Sequence, residues 1–214
     1  MDRRFLCIVA IVAALGVAAG FAGVDRPLAE WVRASGIENA SVFVFGLGAL
    51  DTISGMRFWI WGIGLVALAI GAIILVRQSD SRLGRALVVA ALVQYAMLVT
   101  MIGAKSHFGR LRPFQALALP DGSPLWFAGG DSFPSGHASF YFGLLLPLAA
   151  ACPIRWLRGV LVAIPVLAVL ARIDMAKHFL SDISTGALIA ALYALLAAWL
   201  VRRWLPAPHR GAAR

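Results

Sequence analysis

Long apolar runs separated by short polar segments set the pattern of this chain. The runs cover residues 5–24, 56–76, 86–104, 137–153, 160–170 and 183–201. A helix needs roughly 20 apolar residues to cross the hydrocarbon core of a bilayer. Five runs approach that length, and 160–170 reaches it if its helix continues to Asp174. The pattern predicts an all-α fold: a polytopic membrane protein with six transmembrane helices in one domain, residues 1–214. Residues 25–55 follow a different rhythm. Leu28, Trp31 and Val32 share one helical face, with Glu30 and Arg33 opposite, which predicts one or two short amphipathic helices on the membrane surface.

Composition supports this reading. The chain is 61% hydrophobic and 14% charged, far too little charge to cover a soluble domain of its size. A formal net charge of +9 raises the question of nucleic acid, and the placement of the charges answers it. Eleven arginines (Arg3, Arg4, Arg77, Arg82, Arg85, Arg155, Arg158, Arg202, Arg203, Arg210 and Arg214) fall in turns and tails on one side of a six-span topology. The other side holds eight basic residues. That bias makes the termini cytoplasmic, and no basic stripe interleaved with aromatics is present to bind nucleic acid. The basic start followed by about twenty apolar residues reads as a retained anchor rather than a cleaved signal peptide. Within it, Gly16 and Gly20 form a small-xxx-small pair suited to close helix contact. Cys7 and Cys152 read as small buried side chains in a reducing compartment, without the spacing of a zinc site.

Three polar clusters interrupt the pattern, all at the ends of runs that face away from the cytoplasm. The first is Lys105-Ser-His-Phe-Gly-Arg-Leu-Arg112-Pro113. Three cations on the side otherwise poor in them call for an anionic partner. Arg112 offers a planar fork matched to phosphate oxygens, and Lys105 a point charge. Pro113 is expected to end the local helix. The second cluster is Asp131-Ser-Phe-Pro-Ser-Gly-His137, closing a polar loop and opening an apolar run. Ser135 and Gly136 fall at a helix N-terminus, where unpaired N–H groups favour anions. His137 beside them exchanges protons near neutral pH. The third is Arg172-Ile-Asp-Met-Ala-Lys-His178-Phe-Leu-Ser-Asp182. On a helix, His178 and Asp182 share a face, so the carboxylate reaches the ring and fixes its tautomer, leaving the other nitrogen free to attack. Alone, such a pair reads as a structural contact and the cations as a snorkelling collar. Facing one another, the clusters suit a displacement that needs both a nucleophile and an acid. His107 reads as interfacial. Arg110 reads equally as a second phosphate ligand or a headgroup contact, and Asp174 and Lys177 read as solvated or paired locally.

In order and spacing, Lys105-x6-Arg112-Pro113, Pro134-Ser135-Gly136-His137 and Arg172-x5-His178-x3-Asp182 resemble the signature of the type 2 phosphatidic acid phosphatase superfamily. That superfamily takes in membrane lipid phosphatases, glucose-6-phosphatase-like enzymes, soluble acid phosphatases and vanadium haloperoxidases. The resemblance runs from the third run to the sixth, with core motifs at residues 105–182. It implies His178 as the nucleophile with Asp182 orienting it. His137 would protonate the leaving oxygen and then activate water. Lys105, Arg112, Ser135, Gly136 and Arg172 would hold the phosphate oxygens. It implies no metal and no cofactor, and the scattered carboxylates Asp131, Asp174 and Asp182 agree. One position departs: the family usually carries Ser before the third-motif Arg, and here it is Ala171.

The implied partners are the bilayer and a lipid phosphate, with no nucleic acid. The expected activity is hydrolysis of undecaprenyl diphosphate or of a phosphatidylglycerophosphate- or phosphatidate-like lipid. It would proceed through a phosphohistidine at the periplasmic face of a bacterial-type inner membrane. A lipid A phosphate is the alternative substrate. A small-solute transporter would place ionisable residues near mid-span, and none sits at the centre of these runs. The apolar runs also speak against a soluble haloperoxidase.

Overall fold

The computed structural model describes residues 1–204, and every element among them is helical. The rest of the basic tail, with Arg210 and Arg214, lies outside the described residues. Helices begin where a short polar side chain precedes an apolar run. Asp2 opens α1 (Arg3–Ala19) by accepting the Phe5 N–H at 3.1 Å. Ser81 opens α5 (Arg82–Phe108) and Ser135 opens α7 (Gly136–Ala151) in the same way. Each side chain satisfies an N–H that the first turn leaves unpaired. The remaining helices are α2 (Asp25–Ala34), α3 (Ser41–Ile53), α4 (Gly62–Arg77), α6 (Pro113–Ala116), α8 (Arg155–Asp174) and α9 (Leu180–Trp204). A π-helical turn, Gly20–Val24, joins α1 to α2, and Gly23 at φ 122° allows the kink.

Four helical stretches are long and apolar enough to cross a membrane: Arg3–Ala34, Arg82–Ala116, Arg155–Asp174 and Leu180–Val201. Helices α3, α4 and α7 are apolar but shorter. The chain is therefore a membrane protein by length and composition of its helices, with four of the six expected crossings meeting that standard.

Helix α7 is the centre. It is apolar all round, and Phe140, Phe142, Leu146, Ala149 and Ala150 are buried against its neighbours. Lipid outside is as apolar as the core, so close packing of small residues has to hold such helices together. Helix α9 turns buried Ala187, Ala190, Ala191 and Ala194 inward. At Gly16, the expected close contact is present: a Cβ there would lie 2.4 Å from Ser184 Oγ of α9. At Gly20 it would lie 2.6 Å from Asp25 Oδ1 and 2.8 Å from Ser181.

Several expectations need correction. Of the two surface helices, only α2 is amphipathic, with Asp25, Ala29 and Val32 buried; Trp31, expected on that face, is exposed. Helix α3 is apolar and rests on the bundle through one buried residue, Leu47, against Phe140, Tyr141, Ala168 and Ala171. The second run starts as a helix only at Gly62, because Ser54–Trp61 forms a turn around Gly55 at φ 75°. Cys7 is exposed and Cys152 half-buried, since α1 buries the opposite stripe through Leu6 and Ala13.

Candidate active site

The first cluster is shaped by a glycine. Helix α5 runs past Lys105 to Phe108 and stops at Gly109, whose left-handed φ of 51° lets its N–H return to the Lys105 carbonyl. Pro113 does the reverse of what was expected: it starts α6, while Gln115 Oε1 accepts the Arg112 N–H at 2.9 Å. The following loop folds back on Gly109 and Arg110, with Gly130 N–H on the Gly109 carbonyl and Ser132 N–H on the Arg110 carbonyl, both at 2.9 Å. This sets Asp131 on Arg112 in a two-pronged pair at 2.6 and 2.7 Å. Lys105 Nζ donates to the Asp131 main-chain carbonyl. Arg112, helped by Lys105 and His178, holds the Asp131 carboxyl down at about 2. Lys105 also lies beside the second cluster, its Cε 4.0 Å from where a Cβ on Gly136 would stand.

The second and third clusters are joined through the backbone. Ser135, fully buried at the N-cap of α7, donates its N–H to the Asp182 carbonyl at 3.1 Å. Helix α8 ends at Asp174, and the turn after it returns the Lys177 and His178 N–H groups to the Arg172 carbonyl at 3.0 and 3.3 Å. Lys105 reaches the Asp131 carbonyl, Ser135 the Asp182 carbonyl and His178 the Ser132 carbonyl, so the three clusters converge.

His178 precedes α9 rather than sharing a helical face with Asp182. Its Nδ1 lies 2.8 Å from the Ser132 carbonyl oxygen and 3.8 Å from Asp182 Oδ2. Asp182 turns instead to its own helix start, where Oδ2 accepts the Phe179 N–H at 2.8 Å and the Ser132 hydroxyl at 2.6 Å. Its Oδ1 accepts Arg110 Nη1 at 2.5 Å. Burial pushes the His178 imidazole from its ordinary 6.5 down to about 4. The other histidine is held differently. His137 Nε2 lies 3.0 Å from Asp51 Oδ2 of α3, and Asp51 Oδ1 accepts the Tyr141 hydroxyl at 2.8 Å. Tyr141 in turn meets Ser54 Oγ at 3.0 Å.

A family model, that of the PAP2 superfamily, matches residues 82–206, more than half of the chain and all three clusters. The chain belongs to the PAP2 superfamily. No curated protein and no solved structure matches it. PAP2 members are phosphatases, which supports a phosphoester hydrolase here.

Not every part of this PAP2 site was visible from the motifs. Asp51 is a lone carboxylate in an otherwise apolar stretch of α3, and an ionisable residue in such a setting marks a functional contact. That signal was available and was masked by the surface-helix reading. Arg110, read equally as a phosphate or a headgroup ligand, is engaged inside the protein. It is buried on Asp25, Ser181 and Asp182, because the chain brings two carboxylates to it. Asp174 is buried too and accepts the Ala40 N–H at 2.9 Å, while Lys177 lies over the Phe114 ring. His107 is exposed, edge-on to Phe108. Ala171 packs with Phe140 and Tyr141. No group of three or more metal-ligating side chains occurs among the described residues.

Proposed function

We propose that this chain hydrolyses a lipid phosphomonoester or diphosphate through a phosphohistidine on His178, without a metal, at a face turned away from the cytoplasm. The observation that carries the reading is the contrast between the two histidines. His178 rests on a neutral carbonyl, which only accepts, so Nδ1 carries the proton and Nε2 presents a lone pair. His137 rests on the Asp51 carboxylate, which orients its ring for proton exchange with the leaving oxygen. His178 Nε2 attacks phosphorus as the bond to the lipid oxygen breaks, and His137 gives that oxygen its proton. A water then attacks the phosphohistidine, losing a proton to His137 and freeing His178.

Arg112, Lys105, Arg172, Ser135 and the N–H groups at Gly136 hold the phosphoryl oxygens. The Asp131 carboxylate on the Arg112 fork marks where an anion sits, and it turns away when phosphate arrives. These cations supply the charge stabilisation for which other phosphoryl-transfer sites use Mg²⁺. On this reading α1, α4, α5, α7, α8 and α9 all cross the bilayer, and the positive-inside bias turns the site outward. Undecaprenyl diphosphate, phosphatidylglycerophosphate- or phosphatidate-like lipids and lipid A phosphates form the substrate class.

Purified protein should release phosphate from such lipids in EDTA, and vanadate should inhibit it by mimicking five-coordinate phosphorus. Rapid quench with labelled p-nitrophenyl phosphate should trap acid-labile phosphohistidine in the wild type and in His137→Ala, but not in His178→Ala. Loss of all turnover in EDTA with recovery in Mg²⁺, or phosphate trapped in His178→Ala, would sink the reading.

A further inference from the structure

Ser132 stands at the junction of two buried groups that do not touch closely themselves. Its carbonyl oxygen meets His178 Nδ1 at 2.8 Å, and its hydroxyl donates to Asp182 Oδ2 at 2.6 Å. Its N–H is tied to the Arg110 carbonyl at 2.9 Å. Ser132 and Asp182 are fully buried, so neither exchanges these bonds for water. Asp182 is in addition engaged by the Phe179 N–H and by Arg110. At 3.8 Å from the ring, Asp182 spends its short hydrogen bonds on these groups and not on His178.

Arg110 is itself buried between carboxylates and aromatic rings. It is 3% exposed, and its guanidinium lies 4.7 Å from the Trp126 ring centre and 4.4 Å from that of Phe179. Its second amino group reaches Asp25 Oδ2 at 2.7 Å. Asp25 also accepts the Ser181 N–H at 2.9 Å and the Ser181 hydroxyl. A continuous buried chain therefore runs from Asp25, at the start of α2, through Arg110 and Asp182 to Ser132 and the His178 ring.

We propose that Ser132 is a positioning residue for the nucleophile, that Asp182 acts on His178 through the Ser132 hydroxyl, and that the Asp25–Arg110 pair holds Asp182 for that task. This rests on His178 being the nucleophile, as proposed above. A carbonyl fixes the Nδ1–H tautomer as well as a carboxylate does, yet does not stabilise the charged ring. His178 thus keeps a neutral, attacking Nε2. Asp25 makes the N-terminal segment part of the site although it lies far outside the three motifs.

A double-mutant cycle on the full chain tests this, using Ser132→Ala, Asp182→Asn and the pair. The readout is the rate of phosphohistidine formation from p-nitrophenyl phosphate by rapid quench, with KM and thermal midpoint followed in parallel. Each single variant should lose about 10- to 100-fold in that rate, from misplacement of the ring, with KM within about twofold. The double variant should be no slower than the slower single, since both changes break one path. Asp25→Asn should lower the same rate with the same unchanged KM. Losses that multiply in the double variant would show that Asp182 acts on His178 directly, and a full rate in Ser132→Ala would remove Ser132 from the path. Either overturns the proposal. Phosphohistidine missing from the wild type, or trapped in His178→Ala, strikes the underlying reading instead, so the two failures are distinguishable.

Discussion

His178 and His137 carry the same ring, and the fold gives each a different partner. Burial beside a neutral carbonyl keeps His178 uncharged to about pH 4. The unfolded chain would protonate the same ring near 6.5. Between those values the unfolded state binds a proton that the folded state refuses, so stability falls as pH drops from about 6.5 to about 4 and levels off below. The full effect is on the order of 3 kcal/mol for this one group. Thermal midpoints in detergent should show that slope, and His178→Gln should flatten it; an equal slope in both would refute the assignment. At His137 the partner is Asp51. Asp51→Asn should slow release of a poor leaving group, such as an alkoxide, by about 100-fold or more, while p-nitrophenyl phosphate loses far less. Steady-state rates on the two substrates decide it, and equal losses would make Asp51 a structural residue.

Between helices, contact depends on what glycine leaves out. Gly20 sits where a Cβ would meet Asp25 Oδ1 at 2.6 Å and the Ser181 backbone N at 2.8 Å, whereas Gly103 on α5 faces open space. The two positions make a matched pair. Gly20→Ala should force α1 from α9 and cost about 1–3 kcal/mol, as overpacking does. Gly103→Ala should be neutral or slightly stabilising, because alanine is the better helix former. Thermal midpoints of the two variants in the same detergent check this. The Gly20 variant should also lose activity, since the displaced contact includes Asp25.

For the whole molecule the open question is direction. The arginine-bearing turns lie at one end of the helices and the three motif clusters at the other, as the positive-inside bias requires of a site facing outward. Single cysteines at Ala118 and Ser79, both exposed, can report this in a background of Cys7→Ala and Cys152→Ala. An impermeant thiol reagent should label Ala118→Cys in intact spheroplasts and Ser79→Cys only after permeabilisation. The opposite pattern would mean an inverted protein with its site on the cytoplasmic side.

Apolar run length and the local spacing of Lys105, Arg112, Ser135, His137, Arg172, His178 and Asp182 were enough to read an all-helical membrane chain and its motifs. Both depend on neighbours within a helical turn or two, and sequence records such neighbours directly. The break at Ser54–Trp61 and the contact of α3 with α7 and α8 through Leu47 were not readable, because apolar composition does not say which helix face finds a partner. Nor were the groups that orient the histidines. Asp51 meets His137 across 86 residues, Arg110 meets Asp25 across 85 and Asp182 across 72. Those pairings exist only once α1, α3, α5, α7 and α9 have packed. Local spacing names the candidate site residues, and packing assigns the polar partner each receives, because a buried charge takes whatever opposite group the fold delivers to it.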